Sequence, residues 1–186
     1  GITSCNLSFD GQGLQARSTR STHPKVLNNL SELVSTVFNE DFMFENPFFT
    51  KTKTDVIERL KELQQQAKIE LTRSCAKSIF RGNLTHCGLC SQCIERRFAV
   101  LACKCQNYDP DWQYAVDLFT GPRENIQDRA MIAGFTGFAI KTANITLEEF
   151  VRNHITELTE MKDGQEGITW EHELQNLYHL HNRHAL

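Results

Sequence analysis

Residues 72–97 read TRSCAKSIFRGNLTHCGLCSQCIERR and contain four of the seven cysteines in the chain. Three of the four follow one another at two-residue spacings, and the other precedes them across a loop: Cys75, Cys87, Cys90 and Cys93. Two-residue spacing lets one tight loop present several thiolates to a tetrahedral ion, and Gly88 supplies the backbone freedom that such a loop needs. The pattern therefore predicts a zinc site with four cysteine ligands.

An all-thiolate site of this kind leaves no coordination position for water or substrate, so the zinc is expected to be structural rather than catalytic. Two alternatives stay open from the residues alone. In the first, the thiols are reactive or incidental and bind no metal. In the second, His86 replaces one cysteine as a ligand. The remaining cysteines, Cys5, Cys103 and Cys105, are expected to be small buried apolar residues.

The composition is that of a soluble globular protein, with 40% hydrophobic and 23% charged residues among 186. A formal net charge of -3 reflects nearly balanced acids and bases, which argues against nucleic acid as a partner. No stretch approaches the roughly 20 apolar residues of a membrane span, and no secretory signal is evident. Because the cysteines are clustered rather than spread over the chain, reduced thiols and a cytoplasmic location are expected.

Apolar residues outside the cysteine segment recur mostly at helical spacing. Thr146 and Glu149 form a capping-box pattern at the start of one helix, and Ile2–Phe9 predicts a short strand. Helices are predicted from Pro24, from Thr52 or Thr54, over 94–105, from Pro110 to Phe119 with Asp109 as the cap, over 127–141, from Thr146, and from Glu171. The predicted fold class is mainly α, with a short N-terminal strand and a four-cysteine zinc loop.

Four histidines lie in the last of these helices: His172, His179, His181 and His184. A second metal site is conceivable, because the last two are one helical turn apart. The nearest acids lie at the other end of the helix, so solvent-facing histidines are the preferred interpretation.

Three further segments place the cysteines in the context of a known family. In order, they are GITSCNLS at 1–8, ARSTRSTHP at 16–24 and NPFFTKTKTDVI at 46–57. Together with the pattern Cys-Gly-x-Cys-x-x-Cys-x-x-Arg, they resemble the 7-cyano-7-deazaguanine synthases, the QueC family of PP-loop ATP pyrophosphatases. The resemblance implies the C-terminal part of an α/β, Rossmann-like PP-loop protein. It divides the chain into a QueC-like region with a zinc-binding lobe, 1–105, and a helical extension packed on it, 106–186.

The resemblance also implies a reaction. Family members use ATP and magnesium to adenylate the carboxylate of 7-carboxy-7-deazaguanine and then convert it to an amide or a nitrile, in queuosine biosynthesis. Five residues match basic or polar positions of the family segments and are candidates for binding substrate or nucleotide: Arg17, Arg20, Thr22, His23 and Arg96. The alternative for each is a surface or structural ion pair.

The sequence departs from the family in lacking its ATP-binding loop, Ser-Gly-Gly-x-Asp-Ser. ATP and magnesium are therefore expected only with a missing N-terminal half, and that half is an expected partner of this chain. A homodimer is the other expected assembly. Activity is not expected from this chain alone. The long C-terminal extension suggests a divergent branch, of which some members belong to bacterial antiphage defence systems. The alternative function is a non-catalytic zinc-containing module that binds or regulates a partner.

Overall fold

The computed structural model describes Cys5, Leu7 and residues 21–77, 84–162 and 169–185. These ranges are mainly helical, which confirms that part of the predicted fold class. The helices are α1 (Pro24–Phe38), α2 (Lys53–Glu62), α3 (Lys68–Leu71), α4 (Ser91–Ala102), α5 (Ile126–Ala143), α6 (Leu147–Asn153), α7 (Ile155–Lys162) and α8 (Trp170–Ala185). Two short 3-10 helices lie at Gln106–Tyr108 and Asp111–Gln113.

The predicted N-terminal strand, Ile2–Phe9, falls almost entirely outside the described residues and is not confirmed. Of its two described residues, Cys5 has helical backbone. A PP-loop α/β architecture is not confirmed either. Within the described ranges, extended pairing is limited to a parallel bridge between His86 and Tyr114.

Helix ends follow the local sequence signals. His23 precedes Pro24 at the start of α1, and its Nδ1 accepts a hydrogen bond from the backbone amide of Lys25 at 3.3 Å. At the start of α6, Thr146 and Glu149 make both hydrogen bonds of the predicted capping box. These ends were predictable because a cap involves only residues adjacent in sequence.

The α-helix predicted from Pro110 to Phe119 is wrong, and its first part forms only the short 3-10 helix Asp111–Gln113. Tyr114 is extended and belongs to the bridge with His86. The carboxylate of Asp117 accepts hydrogen bonds from the amides of Phe119 at 2.9 Å and Thr120 at 2.6 Å. An aspartate that binds amides two and three residues ahead stabilises a turn in place of a helix.

The described residues divide into two compact units. The first comprises Cys5, Leu7, 21–52, 139–162 and 169–185. Within it, α1 packs against α7, and α6 packs against both α7 and α8. Its core includes the fully buried side chains of Phe150, Leu158, Met161, Leu177 and Leu180.

One histidine of α8 belongs to that core. His181 is 1% exposed, and its Nδ1 lies 2.8 Å from the carbonyl oxygen of Leu177. The prediction of a solvent-facing histidine is therefore wrong for His181, although His172 and His179 are exposed. His181 lies one helical turn after Leu177, so both side chains are on the buried face of α8.

The second unit comprises 53–77 and 84–138, and α2 packs against α4 within it. It holds two hydrophobic clusters. The first is built from Ile57, Ile69, Ala99, Val100, Cys103 and Cys105. The second surrounds the cysteine motif and is built from Cys87, Cys93, Ile94, Tyr114, Leu118 and Phe135. Cys5, Cys103 and Cys105 are all buried, as predicted.

The division of the chain at residue 105 rests on sequence similarity and stays a prediction. No helix in the described ranges combines the length and apolar character needed to cross a membrane.

Candidate metal centre

The four predicted cysteines converge, with all four Sγ atoms within 4.8 Å of one another. Individual separations are 4.0 Å for Cys75–Cys90, 3.9 Å for Cys87–Cys93 and 3.5 Å for Cys90–Cys93. A tetrahedral ion with metal–sulfur distances of about 2.3 Å needs sulfurs about 3.8 Å apart. The four thiols are therefore positioned to bind one metal ion.

The local backbone positions these sulfurs. Gly88 has φ 73°, in the left-handed region that favours glycine, which turns the chain between Cys87 and Cys90. The amides of Leu89 and Cys90 then donate hydrogen bonds to Cys87 Sγ at 3.4 and 3.3 Å. Cys90 precedes α4 and Cys93 lies in its first turn, so the start of α4 carries two of the four ligands.

Protons are shared unequally among the thiols when no metal is bound. Hydrogen bonds from the thiols of Cys90 and Cys93 hold the pKa of Cys87 far below its ordinary value. The hydrogen bonds that Cys93 makes with Cys87 and Cys90 raise the pKa of Cys93. Burial raises the pKa of Cys75 to about 11. A metal ion that takes all four sulfurs as thiolates must displace the protons that remain.

His86 is buried beside this group but does not join it. Its Nδ1 lies 2.7 Å from the Thr85 hydroxyl, and its ring stacks on Tyr114 with centroids 4.9 Å apart. Burial, with a smaller contribution from Arg96, lowers the pKa of His86 to about 4, so the imidazole is neutral. Among the described residues, the four cysteines form the one group of three or more potential metal ligands.

Residues 113–123 lie across the cysteine loop, and we call this segment the strap. The carbonyl of Gln113 accepts hydrogen bonds from the amides of Thr85 at 3.0 Å and His86 at 3.1 Å. The amide of Ala115 donates in return to the carbonyl of His86 at 2.8 Å. These bonds give the parallel bridge its pairing and fix the chain immediately before Cys87.

The strap also contacts the turn at Gly88. A Cβ atom added there would lie 1.8 Å from the carbonyl oxygen of Val116. Arg123 Nη2 donates to the carbonyls of Gly88 at 3.4 Å and Leu118 at 2.7 Å. Neither Val116 nor Arg123 was singled out from the sequence, because no local pattern marks a contact between segments so far apart along the chain.

Arg96 is buried and binds the chain with all three guanidinium nitrogens. Nε donates to Asp109 Oδ1 at 2.8 Å, Nη1 to Thr72 Oγ1 at 2.6 Å, and Nη2 to the carbonyl of Ile69 at 2.7 Å. A role for Arg96 in binding substrate or nucleotide stays a prediction.

Asp109 is another residue of this region that was not identified as functional from the sequence. Its side chain is fully buried and also accepts hydrogen bonds from the Tyr114 hydroxyl at 2.8 Å and Arg97 Nη1 at 3.1 Å. Asp109 was interpreted as a helix cap because it precedes a proline. Its carboxylate instead binds Arg96 and Arg97 of α4 and also Tyr114, the residue that forms the bridge with His86.

The other predicted binding residues are either outside the described residues or part of the first unit. Arg17 and Arg20 fall outside the described residues. Thr22 is exposed and His23 is buried at the start of α1, both in the first unit, whereas the cysteines and Arg96 belong to the second. Their roles as ligands stay predictions.

The described part of the chain is thus mainly helical and contains a four-cysteine cluster whose geometry suits a tetrahedral metal ion. The sequence profile of the family described as queuosine biosynthesis protein QueC matches residues 20–104, which contain all four cysteines. This match confirms the resemblance predicted from the motifs and defines the segment as QueC-like. Searches of the curated proteins and of the solved structures found no match.

Proposed function

We propose that this chain is the zinc-containing part of a QueC-like, ATP-dependent synthase. One observation supports it above the others: four sulfurs converge at tetrahedral spacing inside the segment that matches the QueC profile. Four thiolates with no open position suit a structural zinc ion. The chemistry therefore belongs to a neighbouring site, which the zinc centre stabilises.

The proposed reaction is the activation of a carboxylate, with 7-carboxy-7-deazaguanine as the expected substrate. Transfer of AMP from ATP to the carboxylate releases pyrophosphate and creates a good leaving group, which ammonia displaces to give an amide. A second ATP adenylates the amide oxygen and releases pyrophosphate, and departure of AMP with that oxygen and loss of the two amide protons give the nitrile. Such a site must orient ATP and exclude water from the acyl-adenylate.

ATP and magnesium are proposed to bind together with a nucleotide-binding half that supplies the loop missing from these 186 residues. Basic and polar residues of the 16–24 segment are the candidates for facing the nucleotide or the acid: Arg17, Arg20, Thr22 and His23. The proposed setting is queuosine biosynthesis in the cytoplasm.

The proposed role of zinc follows from what is attached to its ligands. The ion fixes the start of α4, and Arg96 and Arg97 on that helix both bind Asp109. Loss of the ion would release the cysteine loop and weaken its pairing with the strap. A zinc ion used in this way preserves the shape of the protein and takes no part in the reaction.

Metal analysis tests the zinc centre. Purified protein should contain about one zinc ion per chain, and Cys90→Ala should lose it. Cys103→Ala removes a buried thiol that lies outside the centre and should keep the zinc. A wild-type chain that is fully folded and free of metal would overturn the zinc proposal.

The synthase proposal is tested by nucleotide turnover. Protein containing the nucleotide-binding half should form AMP and pyrophosphate only when 7-carboxy-7-deazaguanine is present, and the 186-residue chain should form neither. Failure of the longer protein to form AMP, with zinc bound and the fold intact, would refute the synthase assignment.

A second candidate function is a non-catalytic zinc-containing module that binds or regulates a partner, as in a defence system. The buried position of Arg96 favours it, because this candidate ligand residue is already bound to Asp109, Thr72 and Ile69. The two functions differ in one measurement. The regulatory module keeps zinc and fold but shows no acid-dependent AMP formation in any form of the protein.

A further inference from the structure

The four sulfurs of the metal centre differ in their access to solvent. Cys75 and Cys90 are partly exposed, whereas Cys87 is 4% exposed and Cys93 is 0% exposed. A cysteine sulfur is oxidised selectively where a dissolved oxidant can reach it. Oxidation from solvent is therefore directed at Cys75 or Cys90.

Cys90 is the accessible cysteine with the closer second thiol. Its Sγ lies 3.5 Å from the Sγ of Cys93 and 4.0 Å from the Sγ of Cys75. The sulfurs of a disulfide are about 2.05 Å apart, so the pair with Cys93 needs the smaller movement to close. An accessible cysteine next to a second thiol that can form a disulfide with it is typical of redox-sensitive sites.

The backbone holds Cys90 and Cys93 close together. Cys90 directly precedes α4, Cys93 lies in the first turn of that helix, and the Cys93 amide donates to the Cys90 carbonyl at 3.0 Å. Cys75 belongs instead to the non-helical segment 72–77, earlier in the chain. The start of α4 alone therefore brings one accessible thiol and one buried thiol together.

We propose that Cys90 and Cys93 form a peroxide-sensitive dithiol whose oxidation releases the zinc ion. The Cys90 thiolate attacks one oxygen of hydrogen peroxide, so that an S–O bond forms, the O–O bond breaks, and the departing hydroxide takes up a proton to become water. The Cys93 thiolate then attacks the Cys90 sulfur, so that the S–S bond forms and the S–O bond breaks. The second hydroxide also leaves as water after taking up a proton. The two sulfurs lose two electrons, and the peroxide gains them.

This oxidation removes two of the four thiolates that a structural zinc ion needs. Cys75 and Cys87 are left, and two thiolates do not complete a tetrahedral site. Because metal binding and folding are coupled, the oxidised protein should also be less stable than the zinc-loaded protein. A thiol reductant regenerates both thiolates and restores the site. The inference rests on the zinc centre of the proposed function and is independent of the synthase reaction.

Peptide mapping of the wild-type protein tests which cysteines are oxidised. Zinc-loaded protein is treated with hydrogen peroxide, alkylated and digested with trypsin. Cleavage after Arg73, Lys77, Arg81 and Arg96 places Cys75 in peptide 74–77 and the other three ligands in peptide 82–96. Peptide 82–96 should lose two hydrogen masses and carry one alkyl group, which tandem mass spectrometry should locate on Cys87. Peptide 74–77 should be separate and alkylated.

Zinc release is measured in the same samples with a chromogenic chelator. One ion should be released for each disulfide formed, and a thiol reductant should reverse both changes. Cys103→Ala is the matched control, because Cys103 is 4% exposed and lies outside the centre. That variant should form the disulfide and release zinc at the wild-type rate, and Cys105 should remain reduced in both proteins.

Three results would overturn the inference. They are a cross-link between peptides 74–77 and 82–96, an internal disulfide that includes Cys87, and a protein that keeps both its zinc and its four thiols in peroxide. Protein without zinc before treatment would contradict the zinc centre instead. Mapping of that metal-free protein still tests the pair, because Cys90 and Cys93 should form the same disulfide. Failure to form AMP, which tests the synthase, changes none of these results.

Discussion

Gly88→Ala is the substitution that the metal centre should tolerate least. A side chain in the left-handed region costs about 1–2 kcal/mol. The added Cβ would also lie 1.8 Å from the Val116 carbonyl oxygen and 2.9 Å from its carbon, and backbone atoms cannot rotate away as a side chain can. Overpacking of this kind adds about 1–3 kcal/mol, so we expect a loss of about 2–5 kcal/mol. For a chain of this length, that lowers Tm by roughly 4–20 °C.

The assay is thermal unfolding of the zinc-loaded protein, together with the zinc content after dialysis. The variant should unfold at a lower temperature and retain less metal, because the strap and the turn between Cys87 and Cys90 must separate. Gly137→Ala is the matched control. A Cβ there meets no atom within 4 Å, and alanine in a helix should raise stability by about 0.5–1 kcal/mol. Equal Tm and equal zinc in the two variants would refute the proposed contact between strap and turn.

Three further predictions follow from other contacts. Asp109→Asn should destabilise the protein by about 3–5 kcal/mol in urea unfolding, because the buried Arg96 charge loses its partner. Asp111→Asn should change stability by less than about 1 kcal/mol, since the Asp111 side chain is 77% exposed, and equal losses would contradict this account. Thr146→Ala should cost about 1 kcal/mol by removing the cap of α6, and an unchanged urea midpoint would argue against the capping box. Zinc affinity, measured by competition with a chelator, should fall as pH falls, because protons compete for thiols such as Cys75, whose metal-free pKa is about 11. A pH-independent affinity would show that the thiols are already ionised.

The cysteine centre could be predicted from the sequence because its geometry is mostly local. Cys87, Cys90 and Cys93 lie on one turn and the helix that follows it, so their spacing in sequence fixes their spacing in space. Helix α1 was predictable from periodicity and from the proline at its start. The same periodicity does not distinguish apolar residues that face their own unit from those that remain exposed, as Leu33 does.

Features that depend on distant segments could not be predicted. The buried contact of Arg96 with Asp109 joins α4 to a loop, and neither residue carries a local pattern that names the other. The 114–119 segment has enough apolar residues for a helix, but Tyr114 and Leu118 are used in packing around the cysteine motif. His181 was misassigned for a related reason, since a histidine on a polar helix is buried only when a neighbouring element covers it.

The contact between the strap and the cysteine loop determines where a chimera of two related proteins can be joined. The profile match ends at residue 104, yet the partners of the cysteine loop at Gln113, Val116 and Arg123 all come later. A chimera joined at 104 would combine a cysteine loop from one parent with a strap from another, and the Gly88 contact leaves no room for a mismatch. A junction after residue 123 keeps the loop and its covering segment from the same parent. The segment that must be exchanged intact is therefore longer than the segment that matches the family profile.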